Sequence, residues 1–175
     1  MDGISVGVLT GVLLATAWHD IRSHRIPNVL IVTGVMAGIL LHARLEGFSG
    51  VVAAVGGCAV GLVVLLPFYV MRMLGAGDVK LMAMVGAFLG PWDVLGALLA
   101  TLLAGGVMAL VVALRAGRMT RLLQNVKWMV LESMLKMSAG QAPTVDDLPE
   151  SVGKLPYAVA IAAGTLGFLA WEHMG

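Results

Sequence analysis

Apolar residues come in long runs separated by short polar clusters. The runs lie at roughly 3–19, 28–43, 51–71, 79–90, 93–114 and 155–172, and most approach the ~20 residues that carry a helix across ~30 Å of hydrocarbon. The pattern predicts an all-α, polytopic membrane helix bundle with about six transmembrane helices, a single integral-membrane domain over residues 1–175. The fourth run, Val79 to Gly90, is short, equivalent to only ~18 Å of helix. If Pro91 marks one interface, the start of that run lies inside the hydrocarbon boundary at the other.

One long polar connection, about 115–154, separates the last two runs. Within it Met119, Leu122, Leu123, Val126, Val130, Met134 and Met137 recur at helical spacing among polar residues. This predicts an amphipathic helix lying on the membrane, with Trp128 as an interfacial anchor. Two roles stay open for it, a cover over the bundle and a flap over a cleft. Beyond it, Gln141 to Glu150 reads as a polar turn.

Composition agrees with a lipid environment. Hydrophobic residues make up 59% and charged residues 12%, with a mean hydropathy of +0.96, whereas a soluble domain carries about twice that share of charge. The single cysteine, Cys58, excludes an internal disulfide and a CxxC-type metal site. Residues 3–18 resemble a signal peptide, but the only charge before them is Asp2 rather than a basic cluster; a retained first span is expected.

Charge placement predicts orientation. Arg22, Arg25, Arg72, Lys80, Arg115, Arg118, Arg121, Lys127, Lys136 and Lys154 fall in one set of loops, and only Arg44 in the other. By the positive-inside rule the first set is cytoplasmic and both termini face the other side. Glycines at Gly7/Gly11, Gly34/Gly38, Gly57/Gly61 and Gly86/Gly90 are spaced four apart, which permits close helix approach in lipid.

Candidate chemistry sits at two span ends. Asp20 follows the first run and Asp78 opens the fourth, so the topology brings both to the cytoplasmic face. An acid at membrane depth reads as functional by default. Gly75-Ala76-Gly77 before Asp78 favours non-helical backbone, tolerated in a membrane only against protein or a watery cavity. Two carboxylates a few ångströms apart share a proton and titrate as a pair; one takes a proton from water while the other polarises a carbonyl. The plainer readings are a helix cap, or charges neutralised by Arg22, Arg25 or Lys80.

The segment Asp20-Ile21-Arg22-Ser23-His24-Arg25-Ile26-Pro27-Asn28 resembles the first-aspartate motif of type IV prepilin peptidases, and Gly75-Ala76-Gly77-Asp78-Val79-Lys80-Leu81 resembles their GxGD motif. Lys154 to Gly164 is similar to the last span of that family. The resemblance implies an aspartic endopeptidase that removes the basic leader of prepilins or pseudopilins at the cytoplasmic membrane face, with Asp20 and Asp78 as the catalytic pair. It implies no metal and no cofactor. The partners it implies are a prepilin, of the Flp (tight-adherence) kind by the chain's size, and membrane lipid, not nucleic acid. Members that also N-methylate carry an extra cytoplasmic domain with cysteine pairs, so proteolysis without methylation is expected here.

Around the pair, Gly75 and Gly77 are expected to shape the backbone, and Pro27 to open the second span, where its missing N–H costs nothing. Asn28 is expected either to bond across the site or to be an interfacial polar residue, and Lys80 either to tune the pair or to snorkel in lipid. Asp146, Asp147 and Glu150 form the only acidic cluster in the cytoplasmic loops, a candidate receiver for a basic leader or simply a solvated turn. The competing function is a small ion- or proton-coupled transporter using the two aspartates as ligands. Against it, the acids lie near one face rather than at the midplane, and no inverted repeat is evident.

Overall fold

A computed structural model describes residues 1–71, 74–117 and 156–174, with a few positions between 119 and 131. The described residues are helical, without strands: α1 (Gly3–Ser23), α2 (Asn28–Glu46), α3 (Phe48–Val70), α4 (Ala76–Arg115) and α5 (Tyr157–Met174). Helices α1 to α4 are long and apolar enough to cross a membrane. The polar connection falls almost entirely outside the described residues, and with it the amphipathic helix and the acidic turn.

The six expected runs map onto five helices because the fourth and fifth join in α4. That helix is 40 residues long and is interrupted at Gly90, whose φ of 83° and ψ of 178° lie in a region open to glycine alone. Pro91 follows and supplies no N–H across the break. The two arms run in opposite directions. Asp78 and Gly105 would be ~40 Å apart along a straight helix, yet both lie at the level of Asp20. Asp78 lines a cleft with Asp20, and Gly105 packs on Tyr157, whose neighbour Ala158 bonds to Asp20. His42 on α2 braces the turn, its Nε2 lying 2.8 Å from the Phe88 carbonyl oxygen.

Glycines hold the first arm of α4 against its neighbours. Gly57 of α3 and Gly86 of α4 meet backbone to backbone, so a Cβ on either would collide with the other's carbonyl oxygen; a Cβ on Gly61 would lie 2.6 Å from the Met82 carbonyl oxygen. Residues 81–90 are therefore buried in an unbroken run, with Phe88, Met82 and Met84 among the largest enclosed side chains. On the second arm, Thr101 backbone lies where a Gly164 side chain would project, which brings α5 into close contact. Without a hydrophobic driving force between helices in lipid, such close approach is what binds them.

The Gly7/Gly11 pair departs from that expectation. Both glycines are exposed on α1, and nothing lies within 4 Å of where their side chains would be. The spacing permits a partner helix; among the described residues none arrives. Trp92 and Trp171, both far from Asp20, and Trp18, near it, are exposed, where amphipathic rings suit the two membrane interfaces.

Candidate active site

Helix α1 extends past its predicted end, which places Asp20 inside its last turn. There Asp20 is 7% exposed. The helix stops at His24, which takes left-handed backbone with φ 48° and donates its N–H to the Asp20 carbonyl oxygen at 2.8 Å. Arg25 and Ile26 then lead to Pro27, whose φ of −64° and ψ of 125° make it the residue before α2 rather than part of its first turn. Such an extended, φ-fixed proline redirects the chain without any cost in backbone donors.

Helix α4 likewise begins earlier than predicted. Only Gly75 is extended, with φ −76° and ψ 151°; Ala76 and Gly77 are already helical, so the expected non-helical stretch before Asp78 shrinks to one glycine. Asp78 lies in the first turn, and its Oδ2 accepts the Gly75 N–H at 3.1 Å. This is the reach-back half of a capping box. An acid there also suits the positive end of the helix dipole.

Asp20 is anchored differently. Its Oδ2 accepts the Ala158 N–H of α5 at 3.1 Å, a bond between residues 138 apart in sequence. Among the described residues, the hydrogen bonds to both carboxylates come from backbone amides. Arg22, a suggested partner for Asp20, instead lies over the Trp18 ring, 4.4 Å from its centroid.

The two aspartates line one cleft of about 350 Å³, together with His24, Arg25, Ile26, Asn28, Gly75, Ala76, Gly77 and Lys80. Two cross-links dock the motif segments. Ile26 sits 3.4 Å from where a Gly77 side chain would start, and exposed Lys80 donates from Nζ to Asn28 Oδ1 at 3.3 Å. Every predicted site residue except Pro27 therefore lines the cleft. Among the described residues no group of three His, Cys, Asp or Glu side chains is arranged to hold a metal ion. Sequence reasoning missed the Ala158 amide, because a backbone donor carries no side-chain signature. Ile26 was legible only as part of the first motif, not as its contact with the second.

A bundle of apolar helices with a two-carboxylate cleft at one end is the architecture of a multi-pass membrane protein. A sequence profile of the type IV leader peptidase family matches residues 7–110, which contain most of α1, all of α2 and α3, both aspartates and most of α4. The chain belongs to that family. Among curated proteins, the "Prepilin leader peptidase/N-methyltransferase" of Myxococcus xanthus (strain DK1622) is 36% identical over 121 residues, covering 63% of this chain. The chain spans 35% of the length of that relative. No solved structure matches.

Proposed function

We propose that the protein is an aspartic endopeptidase that removes the basic leader of a prepilin, with Asp20 and Asp78 as the water-activating pair. The observation that carries the reading is the shared cleft: two acids 58 positions apart in sequence line one cavity of about 350 Å³. In the proposed reaction the ionised carboxylate takes a proton from water, and the protonated one donates to the scissile carbonyl oxygen. The resulting hydroxide adds to the carbonyl carbon; as the tetrahedral intermediate collapses, the first carboxylate passes the proton it took from water to the departing amine, and a hydroxyl of the intermediate returns a proton to the second. Gly75 and Gly77 let the chain pass close to the pair, and the Asn28–Lys80 and Ile26–Gly77 contacts hold the two motifs in register.

The cleft end of the bundle is proposed to face the cytoplasm of a bacterial inner membrane, on the strength of the basic loops, with both ends of the chain on the periplasmic side. The relative's printed name joins a methyltransferase to a peptidase; the proposal here is confined to the peptidase. A small Flp-type prepilin is the first substrate to try, followed by a pseudopilin. Co-expressed prepilin should be shortened by the wild type and left intact by Asp20→Asn and by Asp78→Asn, with all three inserted in the membrane. Cleavage surviving in either variant removes that residue from the pair. Failure of the wild type on every prepilin offered counts against the peptidase reading and for ion or proton coupling.

A further inference from the structure

The two carboxylates differ in what holds them. Asp78 is tied to its own helix through the Gly75 amide. The Oδ2 of Asp20 is tied to α5, at the amide of Ala158 in the first helical turn. Such an amide has no partner within its own helix, so it is free to serve the carboxylate. Both ends of the bond are buried, with Asp20 at 7% and Ala158 at 0% exposure. A buried hydrogen bond from an uncharged donor to a carboxylate favours its ionised form and fixes its orientation.

The α5 turn is itself pinned. Tyr157 packs against Gly105 on the returning arm of α4, where a Cβ would lie 3.1 Å from the Tyr157 hydroxyl oxygen. Gly164, two turns further along, lets α5 lie directly on the Thr101 backbone. Gly90, Gly105 and Gly164 thus act in series: the turn at Gly90 returns the second arm, the second arm seats α5, and α5 presents the Ala158 amide to Asp20.

We infer that the first turn of α5, through the backbone N–H of Ala158, is a positioning element for Asp20 and sets the protonation balance of the aspartate pair. The inference rests on the peptidase reading for its kinetic consequence but not for its chemical one. It assigns the last helix, which the profile match does not reach, a direct part in the site.

The test exchanges the backbone N–H of position 158 for an ester oxygen and leaves every side chain in place. Lactic acid placed at position 158 by nonsense suppression replaces the amide with an ester, deleting the N–H while keeping the Ala158 methyl group. Two measurements follow on the full chain in detergent or nanodiscs. The first is an infrared pH titration of the aspartate pair, its bands identified by their loss in Asp20→Asn and in Asp78→Asn; it needs no substrate. The ester should move its midpoint to higher pH. The second is cleavage of a small prepilin, where kcat should fall by about tenfold with KM little changed, and the acidic limb of the pH–rate profile should move the same way. A Gly105→Ala variant should reproduce part of this effect by pressing on the Tyr157 hydroxyl, and Tyr157→Phe should relieve it. An unchanged titration midpoint in the ester protein would overturn the inference, whatever the cleavage result. If the wild type cleaves no prepilin while the midpoint still shifts, the peptidase reading fails and the positioning contact stands.

Discussion

Asp20 and Asp78 reach one cleft by unlike routes. Asp78 depends on three residues of local sequence, because Gly75 both starts the helix and donates to its carboxylate. Asp20 depends on the assembled bundle, because its donor belongs to a helix 138 positions away. The local anchor can form as soon as the first turn of α4 does; the remote one exists only once α4 has turned back at Gly90 and α5 has seated on its second arm. Damage far from the cleft should therefore reach Asp20 and spare Asp78.

The largest expected effect does not distinguish the two. Either Asp→Asn variant should lose at least ~10²-fold in prepilin cleavage, the usual scale for removing an acid–base group. Gly164→Ala comes next and separates them. Its Cβ would press on the Thr101 backbone and cost about 1–3 kcal/mol in overpacking, read as a lower melting temperature in detergent. It should also lower prepilin cleavage by unseating the α5 amide that holds Asp20, while the Gly75–Asp78 bond stays intact. Gly75→Ala is the local counterpart: its Cβ would lie 3.1 Å from Asp78 Oδ2, tight enough to displace that carboxylate. Cleavage should fall about tenfold with the melting temperature unchanged. Lys80→Met removes an exposed bond to Asn28 and should cost no more than ~1 kcal/mol in kcat/KM. Smallest of all, Gly7→Ala should leave stability within ~0.5 kcal/mol, since nothing lies near that position.

The sequence was most informative where one physical cause acts alone. Hydropathy located α1, α2, α3 and α5 to within a few residues, because lipid demands a continuous apolar helix from each crossing segment. Gly90-Pro91 was legible as the end of a short span, and the structure turns the chain there. Helix ends were read less well. The runs stopped at His19 and resumed at Val79, whereas the helices continue through Asp20 to Ser23 and begin at Ala76; hydropathy ends at the first charge, but a charged residue in the last or first turn can stay helical if its groups find partners. Glycine spacing identified faces able to pack without revealing which would. Gly57/Gly61 and Gly7/Gly11 share one spacing, yet α4 lies against the first pair and, among the described residues, no helix lies against the second.

In the site, the side chains were legible and the backbone was not. Asp20, Asp78, Asn28 and Lys80 stood out because charged and polar groups are rare at such positions in an apolar chain. The Ala158 amide was invisible, since alanine in a terminal span reads only as packing. The first-turn amide is nevertheless the group that links the returning half of the bundle to Asp20.

The most direct test of the central claim compares kcat/KM on one prepilin for the wild type, Asp20→Asn, Asp78→Asn and the double variant. Two groups that work as a unit predict that each single variant falls to the level of the double, so the losses do not add. A single variant retaining activity within tenfold of the wild type, or losses that multiply in the double variant, would contradict a shared aspartate pair.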